Sequence, residues 1–281
     1  MVHSNGHETT MLLVTSGKGG VGTSIVAALT ALTAAERGKR VLLVDACESG
    51  GSMHHLFGVR PKNSLWMLSH PRLLPTDAFV PIDETLTLLP GGTSGAAIAP
   101  TSDDDRRAAL SRLASAYYDF DLVLFDGGSR LDTISAITEL TDPTLLLVTS
   151  ADRLALAANY ALVKSVRARR SNAAIAVVAN RHGDELAAEA CEFLVGACSH
   201  FLGRSIGVAG SIPDDPCLQA AVGAGMTVRD ALIDSPAAHA MRGVLEFVLP
   251  SWTAAPRADT MPIALSFPSS SLPSLSSRRW S

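Results

Sequence analysis

The sequence predicts an α/β fold, with a mostly parallel β-sheet and helices on both faces. From Met11 onward, short apolar runs rich in Val, Leu and Ile alternate with longer stretches of helical character. Several of the short runs are apolar on both faces, which is typical of buried parallel strands. A regular alternation of strands and helices produces a parallel sheet whose crossover helices cover its two faces.

The expected elements follow this alternation in order. Gly38 stands where a glycine ends the first helix, and Thr101 or Ser102 precedes acids that suit the start of another. The predicted strands are 11–16, 40–45, 85–89, 121–126, 144–149, 173–179 and 205–210. The predicted helices are 23–37, 102–118, 153–170, 184–201, 214–224 and 236–248.

The composition indicates one domain with a sizeable core. The chain has 281 residues, of which 47% are hydrophobic, and this excludes global disorder. We expect a flexible N-terminus at 1–10, a nucleotide-binding domain at 11–249 and a disordered Ser/Pro-rich tail at 250–281. The net charge of −4 provides no overall attraction to nucleic acid or anionic membranes.

The cysteines and the apolar runs suggest a cytoplasmic setting. Cys47, Cys191, Cys198 and Cys217 lack the spacing of a zinc site. The first ten residues are polar, and no apolar run has the ~20 residues that a membrane helix needs. We therefore expect reduced cysteines in a cytosolic protein.

The segment GKGGVGTS at 17–24 directly follows the first strand and opens the first helix. Glycines allow backbone N–H groups to surround phosphate oxygens, and the helix N-terminus adds partial positive charge. In such a loop the hydroxyl at Ser24 would ligate Mg²⁺. The predicted phosphate-binding residues are Gly17, Lys18, Gly19, Gly20, Val21, Gly22, Thr23 and Ser24.

This loop departs from the common pattern G-x-x-x-x-G-K-[ST] at one position. Thr23 occupies the place of the lysine that normally lies beside the β- and γ-phosphates. Lys18, near the start of the loop, is the one remaining lysine there. Two alternatives stay open: a glycine-rich turn without a ligand, and a nucleotide fold that has lost nucleotide binding.

The pattern G-K-G-G-V-G-x-[ST] resembles the deviant Walker A motif of the MinD/ParA family. In that family the early lysine contacts the nucleotide of the partner in a dimer. Lys18 matches it, so the resemblance implies a nucleotide-dependent homodimer and a catalytic role for Lys18. Thr23 stands in place of the family's second lysine, which pilus-localisation relatives of the family also often lack. This replacement predicts weak ATP binding and turnover.

Asp45 ends the second strand, at the sheet edge where parallel sheets bind ligands. The segment that follows resembles the D-x-D region of MinD and flagellar FlhG proteins. Asp45 matches the first acid, which implies a catalytic and metal-binding role. Cys47 replaces the second acid and cannot orient water as a carboxylate does. The adjacent Glu48 is expected to point elsewhere, and a plain strand-end cap is the alternative for Asp45.

Asp126 ends the strand DLVLFD and resembles a Walker B acid. Its carboxylate would hold Mg²⁺ through water, facing Ser24. Many strands end in Asp, so this interpretation depends on the position of Asp126 after a phosphate loop. The predicted metal ligands are Ser24, Asp45 and Asp126.

Three later segments extend the resemblance over residues 11–249, in an order most similar to FlhG. VTSADRL resembles the family's V-T-x-P-E segment, with Asp152 in place of the glutamate. VVANR resembles the strand that ends in Asn-Arg, which implies that Asn180 hydrogen-bonds adenine. SIPDD resembles the I-P-x-D loop beside the base, which implies a contact from Pro213. The D-Q-A-x-x-L-R motif found at the start of many FlhG proteins is absent.

Two surfaces have alternative interpretations. The cluster of Lys164, Arg167, Arg169 and Arg170 is either a DNA contact or favourable charge at a helix C-terminus. We favour the second, so DNA is not an expected partner. Segment 237–252 either contacts a membrane, as the C-terminal helix of MinD and FlhG does, or packs against the sheet. We favour packing, and peripheral contact at the inner face of the membrane stays an alternative.

Together, these motifs resemble those of the MinD/FlhG family and imply a switch protein that binds ATP or ADP with Mg²⁺. Hydrolysis is expected to be slow or absent, because Thr23 and Cys47 remove two charged groups. The resemblance implies a homodimer and a protein partner in a flagellar or other polar machine. The alternatives are a pseudo-ATPase scaffold without nucleotide and a ParA-like DNA-partitioning protein.

Overall fold

A β-sheet forms the centre of the protein in the computed structural model, which describes residues 9–48, 53–93, 96–97, 99–181, 183–231 and 235–250. Its strands are β1 (Thr10–Thr15), β2 (Val41–Asp45), β3 (Val80–Pro81), β4 (Leu86–Leu89), β5 (Gly92–Thr93), β6 (Ala96–Ala97), β7 (Leu122–Asp126), β8 (Thr144–Thr149), β9 (Ile175–Asn180) and β10 (Gly207–Ile212). Eight of them form one sheet in the order β10-β9-β8-β1-β7-β2-β4-β3, and β5 pairs with β6 in a separate hairpin. In the main sheet only the pair β3–β4 is antiparallel.

Helices connect the strands and cover both faces of this sheet. They are α1 (Thr23–Glu36), α2 (Met53–Leu56), α3 (Asp103–Leu113), α4 (Leu131–Thr141), α5 (Arg153–Arg169), α6 (Asp184–Leu202), α7 (Pro216–Gly223), α8 (Val228–Ala231) and α9 (Pro236–Val248). Short 3₁₀ helices occur at Leu65–Ser69, Pro75–Ala78 and Ala114–Asp119.

The core is divided into two layers by the alternation of strand side chains. Leu12 and Val14 of β1 pack in one cluster with α1 and α9. Leu13, between them, packs in the other cluster with α3, α4, α5 and α6. Successive strand side chains point to opposite faces, so each apolar strand contributes to both layers. The predicted fold class is confirmed.

The phosphate-loop segment lies at the switch point of the sheet. β1 is paired on one side with β7 and on the other with β8. The chain leaves β1 through α1 towards β2 and later returns past β1 to β8. Loops diverge at such a point and leave a crevice at the carboxyl ends of the strands. Asp45 and Asp126 end neighbouring strands at this same edge, in register with each other.

Several local predictions are confirmed. Gly38 follows α1 with φ 75°, the left-handed conformation that glycine adopts without strain. The Ser102 hydroxyl caps α3 by accepting a hydrogen bond from the backbone N–H of Asp105 at 3.1 Å. Cys191 and Cys198 are buried. In α9 the apolar face, which includes Met241 and Leu245, is buried against α1 and β10, so the described part of segment 237–252 packs against the domain.

The structure also differs from the predictions in places. The sequence analysis assigned no helix to α4, whose run LDTISAITELT is rich in β-branched residues that lower helix propensity. Strand 205–210 lies two residues later, as β10, and helix 102–118 ends early and continues as a 3₁₀ turn. Strands β3, β5 and β6 have two residues each, too short for a periodic signal.

Some predictions concern residues outside the described ranges. The N-terminal segment 1–10 is described only from residue 9, and the Ser/Pro-rich tail only at residue 250. Within the described residues, no helix combines the length and apolar character needed to cross a membrane.

Candidate functional site

The loop between β1 and α1 has a backbone that depends on glycine. Gly20 and Gly22 have φ angles of 84° and 92°, in the left-handed region that side chains disfavour. A Cβ atom at Gly22 would lie 2.3 Å from Nδ2 of Asn180. Gly22 is also the N-cap of α1, and no side chain of the described residues caps the helix there. The start of α1 is therefore open to a ligand.

Five backbone amides of this loop have no hydrogen-bond partner in the described part of the chain, whereas the N–H groups of Gly17 and Lys18 are bonded to Asn159 and Ser16. No hydrogen bond to another described residue engages the backbone N–H of Gly19, Gly20, Gly22, Thr23 or Ser24. Free N–H groups at a helix N-terminus carry partial positive charge and suit an anion.

A cavity of about 290 Å³ lies against these amides. Among the described residues that line it, Arg181 is the one charged residue and none is a carboxylate. The lining residues are Gly19, Gly20, Gly22, Thr23, Ser24, Ile25, Cys47, Gly128, Ser129 and Arg181. The cavity therefore combines backbone donors, hydroxyls, one thiol and one cation, which is a surface suited to an anionic group.

A second cavity, of about 320 Å³, shares the lining residues Ile25 and Arg181 with the first. Asn180 and Pro213 line this second cavity, and their contact with a nucleotide base stays a prediction. The Asn180 amide also donates a hydrogen bond to the backbone oxygen of Val21 at 2.8 Å. The tip of the phosphate loop is thereby tied to the end of β9.

Asn159 of α5 anchors the beginning of the loop and was missed by the sequence analysis. Its Oδ1 accepts a hydrogen bond from the backbone N–H of Gly17 at 2.7 Å, and its Nδ2 donates to the backbone oxygen of Val148 at 3.1 Å. A Cβ atom at Gly17 would lie 2.2 Å from the backbone oxygen of Ala158. An amide within the apolar face of a helix was the available signal, because buried polar groups need partners.

The Lys18 ammonium group lies against α5. Its Nζ is 3.1 Å from both carboxylate oxygens of Asp152, the N-cap of that helix. Hydrogen bonds from Ser150 and from the Ala155 backbone, together with the charge of Lys18, lower the pKa of Asp152 to about 2. Both side chains of the ion pair are partly exposed, so the pair contributes little stability. The role of Lys18 across a dimer stays a prediction.

Asp45 and Asp126 lie side by side and are fully buried. Burial and the neighbouring charge of Asp126 raise the pKa of Asp45 to about 7. Its oxygens accept hydrogen bonds from the backbone N–H groups of Cys47 at 3.2 Å and Met53 at 3.0 Å. Burial also raises the pKa of Asp126, although the Ser24 hydroxyl and the Gly128 N–H favour its charged form.

These groups fit a hard divalent cation. Oδ2 of Asp126 is buried without a hydrogen-bond partner among the described residues, while Oδ1 accepts from the Gly128 N–H at 3.1 Å. Ser24 adds a hydroxyl oxygen on the side of the loop. Two adjacent buried carboxylates repel each other, and a cation with oxygen ligands such as Mg²⁺ would relieve that repulsion.

Cys47 and Glu48 are adjacent in the sequence, but their side chains lie in different surroundings. Cys47, which the sequence analysis aligned with the second acid of the D-x-D region, lines the first cavity. Glu48 points away, as expected: its buried carboxylate accepts hydrogen bonds from Nε of Arg106 at 2.7 Å and from the Thr133 hydroxyl, and it lies 3.1 Å from Nε of Arg130. It therefore links the end of β2 to α3 and α4.

The arginines of the predicted basic cluster make contacts within the protein. Arg167 donates to the backbone oxygens of Arg204 and Ser205 at 2.6 Å, and Arg170 pairs with Asp142. Arg169 lies 3.6 Å from Glu139. These contacts favour the local structural interpretation of the cluster.

A larger cavity of about 890 Å³ lies between α5 and α6, away from the loop. Its lining is mainly apolar and includes Tyr160, Phe193 and Phe201. It has the size of a ligand site, but its described lining carries only two charged residues, Arg153 and Glu189, and is otherwise mainly apolar. The chemistry is concentrated in the smaller cavities beside the loop.

Comparisons with known proteins agree with this geometry. Residues 8–84 match a ParA family model described as a NUBPL iron-transfer P-loop NTPase. The antiactivator FleN of Pseudomonas aeruginosa is 24% identical over 248 residues, which cover 88% of each chain.

Solved structures of MinD proteins share the fold. The MinC:MinD cell division complex of Aquifex aeolicus includes a chain with a TM-score of 0.69 and 19% identity, and the match covers 91% of this chain and 98% of that one. MinD of Pyrococcus horikoshii, complexed with Mg-ADP, has a TM-score of 0.69 and 22% identity. The match covers 86% of this chain and 96% of that one. The chain therefore shares the fold of MinD proteins, and its residues 8–84 are similar to ParA-family P-loop NTPases.

Proposed function

We propose that this protein is a nucleotide-binding switch that holds ADP or ATP with Mg²⁺ and hydrolyses ATP slowly or not at all. The observation that carries the proposal is the pair of cavities beside the loop, which share the lining residues Ile25 and Arg181. One presents unpaired amides to an anion, and the other is lined by Asn180 and Pro213. Phosphates would occupy the first cavity and the base the second.

Magnesium would supply charge neutralisation between the phosphates and the two buried acids. Ser24 and Asp126 would hold it, with Asp45 beside them. The raised pKa of Asp45 indicates a carboxylate that lacks a compensating cation in the protein alone. Binding of the cation would displace the proton that Asp45 holds near neutral pH.

Slow turnover follows from the chemistry of the cavity lining. Thr23 provides no charge beside the phosphates, and Cys47 provides no carboxylate to orient an attacking water. The loss of one well-placed group commonly costs ~10²–10³ in rate, so two losses would leave turnover near the uncatalysed level. Such a protein would change state by binding and release of nucleotide.

A role in placing or counting flagella, or another polar machine, is supported by similarity to FleN and by the resemblance to FlhG. As a MinD-like switch, the protein would form a nucleotide-dependent homodimer in the cytoplasm and bind a protein partner. Co-purification of partners from cells, with and without nucleotide, tests this part. Partners from a DNA-partition system alone would contradict it.

Calorimetric titration of the protein with Mg-ADP and Mg-ATP tests nucleotide binding. We expect a Kd in the micromolar range and no binding to Gly22→Ala, in which the new Cβ would meet Asn180. Gly38→Ala is the matched control. Gly38 has a similar left-handed φ, but no neighbouring atom lies within 4 Å of the Cβ that the substitution adds. It should lose a similar amount of conformational stability and keep its affinity.

Two outcomes would contradict the proposal. Absence of binding to wild type at millimolar nucleotide would support a scaffold without nucleotide. Equal binding by Gly22→Ala and wild type would place the nucleotide elsewhere on the protein.

A further inference from the structure

Arg181 is the charged residue among the described residues that line the cavity beside the phosphate loop. The same residue lines the second cavity, where Asn180 and Pro213 lie. Its side chain is therefore placed to contact a molecule in either cavity.

The position of this side chain is set by an unusual backbone. Arg181 directly follows β9, and its N–H donates to the backbone oxygen of Ile212 at 2.9 Å. Its φ of 66° lies in the left-handed region, where an arginine is uncommon. This conformation places Nε 3.9 Å from the point where a Cβ at Gly22 would lie. Strained residues that persist in a fold cluster at functional sites.

The guanidinium group is available to a ligand. Among the described residues, no hydrogen bond or ion pair engages the Arg181 side chain. By contrast, the Lys18 ammonium lies 3.1 Å from both oxygens of Asp152. Of these two cations, Arg181 is the one that lines the cavity, together with Thr23 and Gly22.

We infer that Arg181 supplies the phosphate-binding charge that Thr23 cannot provide. The ligand class is a nucleoside di- or triphosphate, and the inference rests on the proposed function. A guanidinium group stays charged at all physiological pH values and binds phosphate oxygens through two parallel N–H groups. The arginine thus takes the electrostatic role of a lysine that would otherwise extend from the first turn of α1.

Calorimetric titration with Mg-ADP, Mg-ATP and inorganic pyrophosphate tests this role. Removal of a charge-assisted hydrogen bond costs enough to weaken binding roughly tenfold to a hundredfold, so we expect this loss in Arg181→Ala. Arg181→Lys should keep part of the affinity. Arg181→Asn removes the charge but tolerates the left-handed backbone, so it should fold at least as well as wild type and lose affinity like Arg181→Ala.

A charge-relocation variant gives the sharpest result. Thr23→Lys in the Arg181→Ala background restores a cation at the start of α1 and should recover most of the lost affinity. Arg40→Ala is the matched control, because it removes one arginine beside Asp121, before β2 and at the end of that strand remote from Asp45. Its affinity should equal that of wild type.

The outcomes separate the two proposals. If wild type binds nucleotide and Arg181→Ala and Arg181→Asn bind within twofold of it, the role of Arg181 is wrong and the proposed function stands. If wild type and Thr23→Lys both fail to bind any of the three probes, the proposed function is wrong, and the inference falls with it.

Discussion

Oδ1 of Asn159 lies 2.7 Å from the backbone nitrogen of Gly17, so helix α5 holds the first residue of the phosphate loop in place. The same side chain donates to the backbone oxygen of Val148 at the end of β8. One buried amide thus joins three segments that are far apart in sequence. The Ser16 hydroxyl also donates to Oδ1 of Asn159, at 3.4 Å. Because the amide is fully buried, its hydrogen bonds matter for the stability of this corner.

Asn159→Ala should destabilise the fold and loosen the loop. It removes the partner of the Gly17 N–H and one hydrogen bond to the Val148 oxygen, and a buried group left unsatisfied costs about 1–3 kcal/mol. We expect a lower denaturant midpoint in urea unfolding. The control Asn172→Ala removes an exposed amide that bonds Arg204 and should change the midpoint little. Equal midpoints for the two variants would contradict the anchoring role.

Arg106→Met should lower the free energy of unfolding far more than Arg107→Met, one residue later in α3. Arg106 is buried against Glu48, whereas Arg107 pairs with Glu139 at the surface. Removal of one partner from a buried pair costs about 3–5 kcal/mol, and a surface pair is worth about 0–1 kcal/mol.

Guanidinium unfolding of both variants, and of the double variant Glu48→Gln with Arg106→Met, measures this difference. The double variant should recover part of the loss, because no uncompensated charge is then buried. If the two single variants lose similar amounts of unfolding free energy, the Glu48 contacts do not hold β2 against α3 and α4.

In the absence of Mg²⁺, the free energy of unfolding should fall as the pH rises from about 5 to 8. The folded pKa of Asp45 is raised to about 7, while an unfolded aspartate titrates near 3.8, so the folded state binds the extra proton between these values. The slope is at most ~1.4 kcal/mol per pH unit for one proton. Urea unfolding at several pH values in EDTA measures it.

Asp45→Asn provides the control for this prediction. It keeps the shape of the side chain and removes the titration, so its unfolding free energy should depend less on pH in this range. Added Mg²⁺ should stabilise wild type at pH 8 more than at pH 5, because protons and the cation compete for the acids. A wild-type stability that rises between pH 5 and 8 in EDTA would contradict the assignment.

Turnover should increase when both missing charges are restored. Thr23→Lys alone should tighten ATP binding, and Thr23→Lys with Cys47→Asp should raise kcat at least tenfold over wild type, since each such group commonly contributes ~10²–10³. Phosphate release under saturating ATP measures this. Cys47→Ser in the Thr23→Lys background is the control, because serine cannot orient water as a carboxylate does. Unchanged kcat in the double variant would mean that other groups limit hydrolysis.

The sequence by itself determined the parallel α/β architecture and the position of the loop at 17–24. Apolar strands, crossover helices and closely spaced glycines are local patterns, and local patterns are readable without a structure. The same reasoning placed Asp45 and Asp126 at one sheet edge, because both end buried strands. It missed α4, where β-branched residues form a helix that is stabilised by packing.

Only the tertiary structure decided which side chains meet at the loop. Asn159 lies 142 positions from Gly17, and Asn180 lies 159 positions from Val21. Arg181 became a candidate only when its left-handed backbone placed it beside Gly22. Lys18, the obvious cation in the sequence, lies instead against Asp152. Long-range contacts and side-chain directions depend on the packing of the whole domain, and a linear pattern does not contain them.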